Sequence, residues 1–300
     1  MSLLGSLARR VAGCGLGQFE QYPPRPVRVP ARYHSPAGAT GGLRVSIVTP
    51  VLDQARFIEA TMQSVLSQAY PALEYLVLDG GSTDGTKEVV QARAALLAYH
   101  HSERDGGHTQ AINAGMRLAT GDLLAWLNGD DLLLPGAVEY VAHFFETHPE
   151  VDVVYGHRVV IDAAGREIGR WVLPPHDSRV LSWADYVPQE TLFWRRSAWT
   201  RIGGQLDESY RFAMDWDLLV RMRDAGLRFR RLPRFLGAFR WHPAQKTQTE
   251  IARTGFPEMD RIRLRSLSRI PSRAELRLRV APYALRQALF NRLNQLLDWY

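Results

Sequence analysis

The run Leu123-Leu-Ala-Trp-Leu-Asn-Gly-Asp-Asp131 carries an apolar stretch straight into two adjacent carboxylates. Its length suits a buried strand rather than a helix, and parallel sheets present ligands at the carboxyl ends of their strands. Crowded like charges need a compensating cation or donor. One compensation is an oxygen-preferring divalent ion, Mg²⁺ or Mn²⁺, shared with a substrate phosphate. The other is an Asp pair capping the helix expected from Pro135 onward. Asp53, Asp79 and Asp105 recur in the same way, each at or just past the end of an expected strand. Singly each reads as a turn residue. Four acids on one sheet edge point to a nucleotide-like ligand.

The elements that must position these acids follow from periodicity. Residues 44–50 form a β-branched run closed by Pro50, and residues 73–78 form a second apolar run. Both read as buried strands, with shorter ones at 99–102 and 123–127. Helical spacing marks 55–68, 86–97, 108–119 and 135–148, the last with proline in its first turn. Strands alternating with helices every 25 to 30 residues predict right-handed crossovers and a mostly parallel sheet with helices on both faces. Beyond residue 151 the rhythm changes. A hairpin is expected over 151–161 and 166–172, strands at 187–194, 227–231 and 235–241, and helices at 197–202 and 211–225. The fold class is therefore α/β, with an α+β region added to the parallel half.

The 300 residues carry a net charge of +6 and a pI near 9.7, owed largely to arginine, which fits an anionic partner. The single cysteine, Cys14, excludes an internal disulfide and suits a reducing cytosol. No apolar run reaches the ~18–20 residues a membrane span needs. In residues 1–17 the charges Arg9 and Arg10 sit inside the apolar stretch, a poor fit to a secretory signal and a better one to a short amphipathic helix. Gly13-Cys-Gly15-Leu-Gly17 lacks the preceding strand of a dinucleotide loop. Residues 1–42 thus read as an extension and a Pro-, Arg- and Gly-rich linker or surface strap, with the main domain starting near Leu43. That domain runs over 43–250, with halves at 43–150 and 151–250, and a tail follows over 251–300. In the tail, arginines from Arg261 to Arg279 alternate with apolar residues, and Pro271 and Pro282 are expected to divide it into short helices. Two readings stay open: contact with an anionic membrane surface, at the inner face of the cell membrane, or docking on the chain's own domain with arginines in water. No nucleic-acid module accompanies these arginines.

An ordered series of short motifs runs through the chain. It comprises Val45-Ser-Ile-Val-Thr-Pro50, Ser64-Val-Leu-Ser-Gln68, Leu78-Asp-Gly-Gly-Ser-Thr-Asp-Gly-Thr86, Ala111-Ile-Asn-Ala-Gly115, Ala119-Thr-Gly-Asp122 and Leu127-Asn-Gly-Asp-Asp131. The set resembles the family 2 glycosyltransferases of GT-A fold, over about residues 43–246. The resemblance implies an inverting, metal-dependent transfer of a sugar from a nucleotide-diphosphate donor, of UDP type, to a hydroxyl of a saccharide or glycolipid in surface polysaccharide synthesis. It implies that Thr49, Pro50 and Asp53 lie along base and ribose, that Asp79 accepts from a uracil-type N3–H, and that Asp105 frames the nucleotide pocket. Asn128-Gly-Asp130 would match the family's Asp-x-Asp motif, with Asp130 as ligand to Mn²⁺ or Mg²⁺. Asp131 is then assigned to the cap of the following helix. Met214-Asp215-Trp-Asp217-Leu resembles the segment that carries the base, assigned to Asp215, with Asp217 pointing elsewhere. Phe239-Arg-Trp-His242 resembles the late histidine that reaches the metal or diphosphate. Gln189, Glu190 and Trp216 would lie beside the acceptor; Trp171, Trp183, Trp194 and Trp241 fall in the same half, where most large aromatics fill core and one or two are expected in the acceptor groove. Asn128 in place of the first Asp, and Leu52-Asp53 where the family often has Tyr-Asn, bear on donor preference.

Two rivals are distinguishable. Sugar nucleotidyl transfer needs a Gly-rich basic loop after the first strand, which Pro50-Val-Leu-Asp53 does not offer. A catalytically inactive carbohydrate-binding or scaffold protein of the same fold would hydrolyse no nucleotide sugar.

Overall fold

The structure is a computed structural model and describes residues 19–34, 38 and 42–297; the expected N-terminal amphipathic helix and Cys14 lie outside them. Strands β1 (Val45–Val51), β2 (Leu73–Asp79), β3 (Tyr99–Ser102) and β4 (Leu123–Trp126) pair in parallel in the order β3-β2-β1-β4. Alternation sorts their side chains onto two cores. Val45, Ile47, Tyr75, Val77, Leu123 and Ala125 pack with Ile58 and Met62 of helix α1 (Ala55–Leu66) on one face. A short helix α2 (Thr86–Gln91) follows β2. Val48, Leu76, Leu78, Leu124 and Trp126 pack with Ile112 and Met116 of helix α3 (His108–Leu118) on the other. Gly115 lets α3 lie directly on β1, since a Cβ there would meet Val48 at 2.4 Å.

The sheet continues beyond β4 as a mixed one. The two-residue β5 (Leu132–Leu133) leads into helix α4 (Ala137–Thr147), and β6 (Val153–Ile161) forms the expected antiparallel hairpin with β7 (Glu167–Trp171). The segment expected as one strand over 187–194 is a single tight turn, Gln189–Thr191, before β8 (Phe193–Arg195). Helices α5 (Arg196–Arg201) and α6 (Met214–Asp224) follow. The two strands expected at 227–231 and 235–241 are one, β9 (Phe229–Arg240), which pairs in parallel with β6 through two register shifts near Pro233. Proline has no N–H to give the ladder, so the strand bulges there instead of ending.

The tail departs most from expectation. Helix α7 (Phe256–Leu267) precedes a long helix α8 (Arg273–Leu297), which runs through Pro282 without dividing. Both dock on the domain. Arg263 of α7 is buried and donates to Trp183 O at 3.0 Å, with its guanidinium over the Trp216 ring. From α8, Tyr283 is buried against Tyr186, and Asn291 Oδ1 accepts from Val172 N at 2.6 Å. The linker is a strap: Arg25 pairs with Glu167 through both backbone groups, adding to the outer edge of β7.

Candidate active site

A cleft of about 1180 Å³ opens where the carboxyl ends of β1 and β4 meet β9 and the start of α6. That exceeds the ~300–1,000 Å³ typical of a site for one small ligand. The loop between β4 and β5 forms one wall. Gly129 is obligatory in it, because a Cβ there would lie 2.6 Å from Gln54 Oε1 and 2.8 Å from Val51 Cγ2. The carboxylate of Asp130 turns into the cleft and lies 3.0 Å from His242 Nε2. The imidazole is held on its other side by Phe57, ring centroids 4.7 Å apart.

Asp131, adjacent on the same wall, is committed to partners within the protein. It is buried, accepts from Arg240 N at 2.9 Å, and thereby ties the loop to β9. Burial first, then the neighbouring charges of Asp130 and Glu190, push its carboxyl well above the usual range. The capping role expected for Asp131 is corrected by this geometry. The helix after it begins at Ala137, and its N-cap is Gly136 in a left-handed conformation, with no side-chain cap. Asn128 donates to Asp131 Oδ2 and to Gln189 Oε1, at 3.3 and 3.2 Å, while its own Oδ1 is buried without a hydrogen bond.

Those groups fit a divalent cation held mainly by a diphosphate. They offer one carboxylate, one imidazole and an uncommitted amide oxygen. Among the described residues no three His, Cys, Asp or Glu side chains gather into a self-sufficient metal cage. Protein ligation would therefore be sparse, as for Mg²⁺ or Mn²⁺ completed by phosphate oxygens and water.

Asp215 stands on the same cleft, in the first turn of α6. Its Oδ1 accepts from Trp216 N at 2.8 Å, yet burial dominates and raises its carboxyl from 3.8 to about 6. Asp185 lies beside it on the cleft wall, pushed well above the usual range by burial and then by the charge of Asp215. The two titrate as a pair. Asp217, two residues on, is fully buried and bound to Arg221 at 2.8 Å and Arg265 at 2.6 Å, which makes it a structural anchor. The N-terminus of α6 is capped from the tail. Glu258 of α7 accepts from the backbone N–H groups of Arg211, Phe212 and Ala213 at 2.8, 2.9 and 2.8 Å.

The remaining expected residues divide by position. Pro50 and Asp105 line the cleft, with Asp105 Oδ1 fixing the turn into α3 through Gly107 N at 2.8 Å. Gln189, Glu190 and Trp216 line it as well. Gln189 Nε2 donates to Trp126 O at 2.9 Å, and Trp216 is buried with its indole N–H on Leu181 O. Asp53 borders a smaller hollow beside the main cleft, shared with His242, and accepts from Thr83 N at 2.8 Å. Thr49 is buried against Tyr75 Oη, away from the cleft. Asp79 is also fully buried, and its carboxylate already accepts from Ser82 N, Ser82 Oγ and Ser102 Oγ. It organises its loop.

Three of the lining residues that were not among those expected bear on the chemistry. His108, first residue of α3, is pushed down to about 3 by desolvation and then by Lys246, so it stays neutral. Arg158 is buried and forms a two-bond pair with Glu190 at 2.8 and 2.5 Å. A cation in the middle of the apolar run of β6 was the available signal for it. Asp185 sits in an irregular loop with no periodicity to mark it.

The amino-acid sequence from residue 46 to 205 matches the family described as "Glycosyl transferase family 2". The chain belongs to that family. This glycosyltransferase is 30% identical over 206 residues to the O-antigen biosynthesis protein RfbC of Myxococcus xanthus, an alignment covering 67% of the chain and 16% of RfbC. It is 31% identical over 180 residues to a PGL/p-HBAD biosynthesis glycosyltransferase of Mycobacterium bovis, covering 59% of the chain and 68% of that protein. Its fold is that of the GT-A glycosyltransferases. Staphylococcus aureus TarS 1–349, solved with UDP-GlcNAc, superposes with a TM-score of 0.61 at 18% identity, over 84% of the chain and 74% of that structure. The mannosyltransferase PcManGT of Pyrobaculum calidifontis, solved with GDP-Man and Mn²⁺, gives 0.52 at 20% identity, over 98% and 89%.

Proposed function

We propose that this glycosyltransferase moves a sugar from a nucleotide-diphosphate donor, of UDP type, to a hydroxyl of a saccharide or glycolipid acceptor, with inversion at the anomeric carbon. The observation that carries the reading is one cleft lined both by the Asp130–His242 pair and by Asp215 with its carboxyl raised to about 6. The donor half is 43–150 and the acceptor half 151–250, followed by the tail at 251–300. Pro50, Asp53 and Asp105 border the nucleoside end, with Thr49 and Asp79 shaping it from beneath. Asp130, His242 and the Asn128 amide oxygen would hold Mn²⁺ or Mg²⁺. A bound divalent cation neutralises charge that develops on a departing diphosphate.

The remaining chemistry belongs to side chains. Asp215 accepts the proton of the attacking acceptor hydroxyl. A carboxyl near 6 is ionised at neutral pH yet more basic than an ordinary aspartate, which suits a general base. Glu190, pinned by Arg158, and Gln189 present acceptors and donors to the acceptor's other hydroxyls. His108, neutral and beside the loop of Asn128, can donate one ring N–H to a phosphate or sugar oxygen.

The related proteins are named for O-antigen and PGL/p-HBAD biosynthesis, which supports a glycan or glycolipid acceptor in cell-surface synthesis. Structural relatives solved with UDP-GlcNAc and with GDP-Man and Mn²⁺ support the donor class and the cation. Among the described residues no helix is long and apolar enough to cross a membrane. A peripheral contact through α8 is supported by its outward leucines and arginines. The test is Asp215→Asn, which should lose at least about a hundredfold in transfer while binding UDP in Mn²⁺ as the parent does. Joint loss of both would remove Asp215 from the chemistry.

A further inference from the structure

Arg158, in the middle of β6, is buried and yet lines the cleft. Its surroundings hold the guanidinium in one place. Nε and Nη2 donate to the two oxygens of Glu190 at 2.8 and 2.5 Å, the planar fork that arginine offers a carboxylate. Room for Glu190 comes from β9. There the residue paired with Arg158 is Gly237, and a Cβ on it would lie 2.7 Å from Glu190 Cγ. Thr191 ties the same turn to β6, its Oγ1 accepting from Gly156 N at 3.2 Å. Trp171 and Phe239 cover the guanidinium, with ring centroids 5.0 and 4.4 Å from its carbon. Phe19 of the strap lines the cleft beside them and stacks on Trp171 and Trp241, centroids 4.9 and 4.4 Å apart.

A buried charge held this firmly is poorly screened and acts beyond its bonded partner. Asp131, Asp185 and Asp215 line the same cleft, and burial pushes all three carboxyls up. The charge of Arg158 opposes that rise in each of them. Asp215 is faced by Asp185 from the loop before the Gln189–Thr191 turn, by Arg158 from β6 and by Glu258 from α7. Of these, Arg158 favours the ionised form of Asp215, while Asp185 and Glu258 disfavour it. Glu258 is bound to three backbone N–H groups at the start of α6. Arg211 and Lys246 line the cleft as well, and the charges acting on Lys246 are Glu250, Glu258 and Arg211. Glu190 acts against ionisation of Asp131 and Asp185, so its own charge has to be separated from that of Arg158 in any test.

We propose that Arg158 is a positioning residue of the transfer: seated on Glu190, it supplies the charge that keeps Asp215 ionised as the base. The proposal rests on the glycosyl-transfer reading of this cleft. Arg158→Met alone would strand the buried charge of Glu190. The cation is therefore removed in a Glu190→Gln background, in the full chain, and compared with Glu190→Gln itself. The readout is the pH midpoint of kcat/KM for nucleotide diphosphate release in Mn²⁺ from whichever UDP- or GDP-sugar is turned over, with water as acceptor. That midpoint should lie about one pH unit higher in Arg158→Met/Glu190→Gln than in Glu190→Gln. Arg158→Lys keeps the charge and loses the fork, so it should hold the parent's midpoint. The Asp215 ¹³Cγ resonance, assigned with Asp215→Asn, should shift its titration by the same amount with no turnover needed. Equal midpoints in the two Glu190→Gln proteins overturn the proposal, as does a midpoint in Arg158→Lys as high as in the double variant. So does loss of UDP binding in the double variant, which would make Arg158 a support of the fold alone. A parent that turns over no donor counts instead against the glycosyl-transfer reading, and the resonance then decides whether Arg158 acts on Asp215.

Discussion

At the scale of single residues, the carboxylates of this chain do different work because their surroundings differ. Asp130 is free to meet a cation, Asp131 locks the loop to β9, Asp79 holds a serine-rich turn, and Asp215 is desolvated beside Asp185. The raised carboxyl of Asp215 has two measurable consequences. With its ionised form as the proposed base, kcat/KM should climb with pH through about 6 and level off above it, with the pair's macroscopic values setting the midpoint. A pH–rate profile flat from 5 to 8 would contradict this. Stability runs the other way. Between the ordinary 3.8 and about 6 the folded chain keeps a proton that the unfolded chain has lost, so stability falls as pH rises through that window. Asp215→Asn should therefore unfold at a higher urea concentration than the parent at pH 7.5, by on the order of 1 kcal/mol once partial solvent access is allowed for. Asp130→Ala should weaken UDP binding in Mn²⁺ and leave binding in chelator as in the parent, as calorimetry can read.

At the scale of elements, α6 is positioned by a helix that sequence periodicity placed in a separate tail. Glu258 takes three backbone N–H groups at the start of α6, and burial of Arg263 under Trp216 fixes α7 against it. Losing an N-terminal cap costs about 1–2 kcal/mol, and charge-assisted bonds raise that. Glu258→Ala should thus destabilise by about 2–3 kcal/mol in urea unfolding and lower kcat, with Glu258→Gln between it and the parent. A kcat equal to the parent's in both variants would show that α6 needs no help from the tail. The parallel half of the fold was legible in the sequence because its apolar runs are short, regular and closed by Pro50, Asp79 and Asn128. The acceptor half was less so. Pro233 reads as a break but is absorbed as a bulge, and Gln189–Thr191 turns where a β-rich run implied extension. Of the site, acids at strand ends could be found by position. Arg158, Asp185 and Phe19 act through long-range packing, which local pattern does not encode.

At the scale of the whole molecule, α8 faces two ways. Leu276, Val280 and Tyr283 are buried on the domain, while Leu278, Leu285, Leu289 and Leu296 are 73, 71, 55 and 80% exposed along a second stripe. Arg277, Arg279, Arg286 and Arg292 are exposed on the same helix. Docking and membrane contact, alternatives in the sequence, are thus compatible in the fold. Each arginine near an anionic surface contributes about 1 kcal/mol, and leucines entering the interface add to it. The chain should co-sediment with phosphatidylglycerol vesicles at 0.1 M salt and much less with phosphatidylcholine, and Leu285→Gln with Leu289→Gln should reduce the bound fraction several-fold. Equal binding by parent and variant would remove α8 as the contact.

Asp130, His242 and Asp215 are proposed to make together a metal-assisted sugar-transfer site. The most direct measurement is release of nucleotide diphosphate from a panel of UDP- and GDP-sugars, with Mn²⁺ and then with excess chelator. At least one donor should turn over in Mn²⁺, with turnover lost in chelator and returning when Mn²⁺ is restored. Turnover indifferent to chelator, or no turnover of any donor by folded protein, would contradict it.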